Sequence, residues 1–217
     1  MNTYAVETNM LALWVEVPIC AFRPHESREY QDTHPFPPPS AVYGMLLSLC
    51  GVRREDKGQH QGVRMALAIE SPPERAKVFR KFRRGKELGD LRPDYQDLLI
   101  GLKLWVWLAT GSDQGQPPLV ERIVAALDRP QHVNRFGGLS LGESSYLVDS
   151  INLREPEDRQ IMHFLKPDPA GFYNLPIWVD HENNRNRRVR FNIEQTPVAD
   201  GVRKCWVQVE PDATVEA

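Results

Sequence analysis

The sequence is poor in the residues that would anchor several common functions. It has three cysteines in 217 residues, Cys20, Cys50 and Cys205, far apart and with no Cys-x-x-Cys pair. That count supports neither a disulfide framework nor a zinc site. No apolar run approaches the roughly 18 residues of a membrane span, and no basic-then-apolar leader opens the chain. A soluble, cytoplasmic protein with no membrane partner is therefore expected. Neither sign of charge dominates: 27 Lys and Arg stand against 29 Asp and Glu. A net charge so near zero names no partner, so its distribution along the chain matters more. With 41% hydrophobic and 26% charged residues, wholesale disorder is excluded. The length fits one large domain, or one domain with an appendage.

Proline is the exception to this scarcity. There are 18 in the chain, against the ~5% of an average composition. They cluster in loops, notably at Pro24, Pro35, Pro37, Pro38 and Pro39, as expected of structured loops that carry function.

Hydrophobic periodicity predicts a strand over Met10–Cys20, with Leu11, Leu13, Val15, Val17 and Ile19 on one face. A helix follows from Pro39, with Val42, Met45, Leu46 and Leu49 at helical spacing and Gly51 as its stop. Val63–Glu70 reads as a second strand, Leu98–Ala109 as a third, Leu119–Leu127 as a second helix and Tyr146–Ile151 as a short fourth strand. The order β-α-β-β-α-β gives the expected fold class: α+β, with a ferredoxin-like, RRM-type core. The core is expected over residues 1–152, with a basic insertion at about 74–94 and a small β-rich C-terminal appendage over 153–217. Apolar runs at Phe172–Val179, Val189–Ile193 and Lys204–Val209 suggest that appendage.

The insertion holds the densest charge. Arg75, Lys77, Arg80, Lys81, Arg83, Arg84 and Lys86 occur with no acid among them, and Phe79 and Phe82 are interleaved. Basic groups neutralise phosphates, and rings stack on unpaired bases; a solvated charge run is the bland alternative. A second basic patch, Arg185, Arg187, Arg188 and Arg190, reads either as a surface hairpin or as a secondary nucleic-acid or subunit surface.

Gly137-Gly138-Leu139-Ser140-Leu141-Gly142-Glu143-Ser144 has the glycine spacing of a phosphate-binding loop, but Glu143 stands where that loop needs lysine. It also follows a helix and precedes a strand, the wrong order, so nucleotide hydrolysis is rejected. Two readings stay open for the loop: close approach to a ligand, with Ser140, Ser144 and Ser145 as donors, or a tight turn.

With these parts in place, the chain resembles Cas family five, the RAMP-type subunit at the 5′ end of CRISPR Cascade complexes. Three segments carry the resemblance: AFRPHESREYQDTHPFPPPSAVYGML (Ala21 to Leu46), the basic insertion running into RPDYQDLLIGLKLWVW (Arg92 to Trp107), and RFGGLSLGESSYLVD (Arg135 to Asp149). The resemblance implies a protein that binds the 5′ repeat-derived handle of crRNA and caps the row of backbone subunits (Cas family seven). It also implies contact with the large subunit (Cas family eight), and with target DNA only indirectly. The insertion would be the family's thumb. The RNA-binding residues expected are Arg23, Ser27, Arg28, Tyr43, Arg80, Lys81, Phe82, Arg83, Arg84, Arg135, Ser140, Gly142 and Ser144.

Some members of that family cut precursor crRNA without metal, using a Tyr/Lys/His set. Here Tyr43 could supply the phenol, but His132, near the glycine loop, is preceded by Gln131 where cutting members carry lysine. His25, His34, His60, His163 and His181 lie in polar sequence surroundings and are expected to be solvated. The expectation is a non-catalytic protein with no cofactor and no metal, metal-independent endoribonuclease activity being the alternative. A free-standing RRM-like single-strand binder is the third reading. It is weak, because Trp105 and Trp107 share their strand face with Leu99, Gly101 and Lys103, which is not an RNP pattern.

Overall fold

The computed structural model describes residues 10–24, 31–83, 91–135, 137–180 and 185–211, with side chains undescribed at 82, 83, 91 and 92. Strand β1 (Met10–Cys20) leads through the proline-rich loop to helix α1 (Pro39–Leu49). Pro39 at the first helical position presets φ for the opening turn. Val42, Met45, Leu46 and Leu49 then face inward, each stabilising the fold by about 1.5–3 kcal/mol on burial. A 3-10 turn at Lys57–His60 precedes β2 (Val63–Ile69), β3 (Glu74–Arg83), β4 (Leu91–Ala109) and helix α2 (Leu119–Asp128). A second 3-10 turn, Pro130–His132, precedes β5 (Ser150–Leu153), β6 (Ile161–Pro167), β7 (Tyr173–Asp180) and β8 (Arg185–Pro197). Helix α3 (Val198–Lys204) and β9 (Val207–Val209) complete the described elements.

The architecture is mixed α/β, with a mostly antiparallel sheet and few helices. The sheet runs β5-β1-β4-β2-β6-β8-β7, with β3 paired to β4 and β9 to β2. All pairings between these strands are antiparallel. On one face, Leu13, Val15, Met65, Leu67, Leu104 and Val106 meet α1 and α2 in the larger core cluster. On the other, Trp14, Trp105 and Trp107 pack with Phe164, Val198 and Cys205. The Trp107 and Phe164 rings stack at 5.3 Å. The face on which an RRM would expose stacking rings is therefore buried, which removes the physical basis of the free-standing RRM reading.

The structure corrects several sequence expectations. The basic insertion is itself a strand, β3, and the third expected strand starts at Leu91, not Leu98. Ten residue pairs, from Glu74↔Ile100 to Arg83↔Leu91, make a long hairpin. Charged residues lie on both faces of the ribbon, so the alternation that betrays a half-buried strand is missing. Strand β4 changes partners along its length, from β2 at Ile69↔Leu104 to β3 at Ile100↔Glu74. Gly101 lies at that change with φ +70°, a backbone conformation glycine adopts without steric cost. The short fourth strand is Ser150–Leu153, not Tyr146–Ile151. Tyr146 and Val148 instead fold back on the glycine loop, through Leu141 N–H to Tyr146 C=O (3.3 Å) and Val148 N–H to Leu139 C=O (2.8 Å). Strand β6 had no sequence forecast, and the run Lys204–Val209 divides between the end of α3 and β9.

Candidate nucleic-acid interface

Helix α1 turns Ser40, Gly44 and Ser48 to one side, one residue per turn, away from its buried face. These small residues form one wall of an open cleft of about 1040 Å³. The glycine loop supplies Ser140, Gly142 and Ser144 opposite, and Arg135 enters from the loop's start. Arg53 and Arg54, both exposed, follow the end of α1 and line the same cleft. Arg53 makes only a loose pairing with Glu55, at 3.8 Å. Trp178 and Val179 of β7 close the remaining side.

The floor is built from Tyr43, Lys57 and Trp178. Tyr43 is buried, and its hydroxyl donates to the Lys57 carbonyl at 2.7 Å. Burial, with a smaller contribution from the Asp113 charge, holds its phenol protonated far into the alkaline range. The Lys57 ammonium donates to the Val179 carbonyl and lies 4.8 Å above the Trp178 ring. Tyr43 and Trp178 rings meet at 5.8 Å. The floor is thus two buried rings and one engaged ammonium, internally hydrogen-bonded, while the rim carries hydroxyls, guanidinium groups and the Glu55 carboxylate. The guanidinium groups and hydroxyls of the rim are groups that can hold an anion.

The glycine loop has both an anchored and a presented half. Leu139 and Leu141 are buried in the core. Gly142 has φ +90°, and a Cβ there would lie 2.4 Å from the Ala21 carbonyl oxygen. Here glycine permits close packing against the end of β1 as well as a turn, so both sequence readings of the loop have a physical counterpart.

The expected RNA-binding residues divide among several places. Tyr43, Arg135, Ser140, Gly142 and Ser144 come together in the cleft. Arg23 is exposed and follows Phe22, whose ring neighbours Gly142. Lys81 is exposed on the hairpin, opposite Pro93. Arg80 is on the hairpin too, but its Nη1 donates to Gln96 Oε1 at 2.8 Å and to the Tyr146 hydroxyl at 2.9 Å. Phe82 and Arg83 belong to β3 with side chains outside the described set, and Ser27, Arg28 and Arg84 lie outside the described residues. Of the second basic patch, Arg187 pairs with Glu210 at 2.8 Å, while Arg188 and Arg190 donate to the carbonyls of Asn174 and Gly171. These three side chains fasten C-terminal strands together.

Sequence reasoning missed Arg53, Arg54 and Trp178. Adjacent arginines directly after a helix stop were the available signal for the first two, whereas Trp178 reaches the cleft only through long-range sheet pairing. It also misjudged His60. That ring is fully buried, with Nδ1 3.1 Å from each Asp113 carboxylate oxygen. Asp113 further accepts the N–H groups of Gly115 (2.8 Å) and Leu119 (2.7 Å), tying the 3-10 turn to the start of α2. His25 and His181 lie outside the described residues, and His34 and His163 are half-buried. His132 is exposed on its 3-10 turn and is not among the residues lining the cleft. Among the described residues, no group of three or more His, Cys, Asp or Glu could hold a metal ion. No described helix is long and apolar enough to cross a membrane.

Comparison with known proteins identifies the family. The family model described as CRISPR-associated protein (Cas_Cas5) matches residues 10–159. A CRISPR-associated protein Cas5 of Myxococcus xanthus (strain DK1622) is 37% identical over 191 residues, 82% of this chain and 87% of the relative. Among solved structures, a chain of a CRISPR RNA-guided surveillance complex superimposes with a TM-score of 0.60 at 17% identity, covering 87% of this chain and 91% of that one. A crystal structure of a Cas protein matches with a TM-score of 0.52 at 15% identity, covering 87% and 95%. The residues that form the α1 wall and the glycine loop lie within the matched segment, and the chain belongs to the Cas5 family of CRISPR-associated proteins.

Proposed function

We propose that this protein is a non-catalytic RNA-binding subunit of a type I CRISPR RNA-guided complex, holding the 5′ handle of crRNA in the α1–glycine loop cleft. The observation that carries this reading is the cleft itself, where Ser140, Gly142 and Ser144 face α1 between Arg53, Arg54 and Arg135. The resemblance to a chain of a surveillance complex supports it. The path β5-β1-β4-β2, with α1 and α2 against one face, is read as the ferredoxin-like core over residues 1–152; the β6–β9 region is read as its extension over 153–217. In the assembly, the subunit caps the backbone-subunit filament (Cas family seven), touches the large subunit (Cas family eight), and meets target DNA only through the guide. It acts in the cytoplasm.

The β3–β4 hairpin offers a second contact. Phe79 and Tyr95 face each other across it, 62% and 51% exposed, with ring centroids 5.3 Å apart. Lys77 and Lys81 share the Phe79 face, two residues to either side. This is a stacking platform with cations beside it.

Endoribonuclease activity is the competing reading. It is disfavoured because the Tyr43 hydroxyl is already engaged by the Lys57 carbonyl and His132 is not among the residues lining the cleft. One experiment separates the two. The chain is expressed with its genomic neighbours and a precursor crRNA, the co-purifying RNA is sequenced, and the isolated chain is incubated with the same precursor in EDTA. A protected 5′ handle without cleavage is expected. Cleavage by the isolated chain moves it to the nuclease class, and absence of RNA from both preparations defeats both readings.

A further inference from the structure

We propose that Arg80, Gln96, Tyr146 and Glu143 form a latch that fixes the glycine loop against the root of the β3–β4 hairpin. Arg80 is then a positioning residue for RNA in the cleft and not a phosphate contact. This inference rests on the RNA-binding reading above.

Gln96 is the centre of the latch, with 1% of its surface exposed. Its Oε1 accepts from Arg80 Nη1 at 2.8 Å and from the Tyr146 hydroxyl at 3.4 Å, while its Nε2 donates to Glu143 Oε1 at 2.6 Å. Arg80 Nη1 also donates to the Tyr146 hydroxyl at 2.9 Å. The amide orientation follows from its neighbours: the carbonyl end faces two donors and the NH₂ end faces a carboxylate. Burial and the Glu143 charge both raise the Tyr146 pKa, which keeps its phenol a donor.

The backbone beneath the latch is pinned. Gln31 N–H donates to the Tyr95 carbonyl (3.0 Å), and Asp97 N–H donates to the Gln31 carbonyl (2.8 Å). Gln96 therefore projects from a fixed strand position toward the loop. The loop's inner half is secured by Leu139 and Leu141 in the core. Its outer half, which carries Ser144, reaches the hairpin through the side chains of Glu143 and Tyr146. Strand alternation puts Arg80 and Gln96 on one face of the ribbon and Lys77, Phe79 and Lys81 on the other. One face thus docks the loop while the other carries the exposed Phe79 and Lys81, so hairpin orientation and the placement of Ser144 are coupled.

The test measures affinity of the full chain for fluorescein-labelled crRNA bearing its own 5′ handle, across a salt series, with unfolding midpoints recorded alongside. Gln96→Glu sets a second carboxylate against Glu143 and is expected to weaken binding about tenfold; adding Glu143→Gln, which reverses donor and acceptor, returns affinity to that of Glu143→Gln alone. A purely structural fault at Gln96 would not be rescued in this way. Arg80→Met and Tyr146→Phe each weaken binding at an unchanged slope of log affinity against log salt, and the double variant binds no worse than the weaker single. The latch is overturned if Arg80→Met lowers that slope by about 0.7, the value for one lost phosphate contact on a single strand. It is equally overturned if the Gln96→Glu loss persists in the swap, or if Tyr146→Phe binds as the unaltered chain does. An unaltered chain that does not retain crRNA defeats the RNA reading, and the latch's role with it.

Discussion

Single side chains decide the most exposed of these claims. Replacing Gly142 with alanine meets both a φ of +90° and a carbonyl oxygen 2.4 Å from the new Cβ. The variant should lose about 1–3 kcal/mol of stability in a urea titration and bind crRNA more weakly. Asp113→Ala removes the acceptor for two backbone N–H groups and for the His60 ring, all buried. A loss of about 3 kcal/mol is expected, read from the same titration. The thiols make a pH prediction. Burial pushes Cys20 and Cys50 up to about 12 and Cys205 up to about 11, from 9.0. The folded state keeps these protons where the unfolded chain releases them. This contribution to stability is therefore complete below pH 9 and is lost as pH rises from 9 toward 12. Iodoacetamide at pH 8 should leave all three unmodified until the chain unfolds, as mass spectrometry would report. Of these residues, Gly142 could be singled out from sequence by its loop. His60 could not, because its burial depends on Asp113, brought to it across the fold.

At the scale of elements, legibility followed burial. Helices α1 and α2 could be read because their buried residues recur at helical spacing, and strand β1 because Leu11, Leu13, Val15 and Val17 alternate on its buried face, although Trp14 is buried on the other face and Ile19 is exposed. The hairpin could not, since its alternating positions place charged residues on both faces of the ribbon. The helix and the glycine loop of the cleft are thus legible in the sequence, whereas the strand character of the basic insertion is not. The hairpin's exposure has its own consequence for energetics. Phe79→Ala with Tyr95→Ala removes rings that are 62% and 51% exposed, so the folded state loses little. RNA affinity should nevertheless fall by about 1–3 kcal/mol for each base that stacks there. Equal loss of stability and of RNA binding in that variant would instead assign the rings a structural role.

Across the whole molecule, the C-terminal strands are part of the same sheet as the N-terminal core. Strand β2 gives its outer edge to β6 at Ala68↔Phe164 and to β9 at Val63↔Val209. A chain ending after Leu153 would leave that edge, and the Trp105–Trp107 face, without cover. Such a truncation is expected to elute as aggregates in size-exclusion chromatography, whereas the full chain runs as a discrete species. The sequence could not disclose this, because short apolar runs reveal strands but not which distant strand they join. The same pairing bears on synthesis. Since β2 is closed by residues about 95 (β6) to about 145 (β9) positions downstream, a nascent chain emerging from the ribosome carries an unsatisfied strand edge until those strands have been made. The sheet around β2 is therefore completed only after the C-terminal strands are available to pair with it.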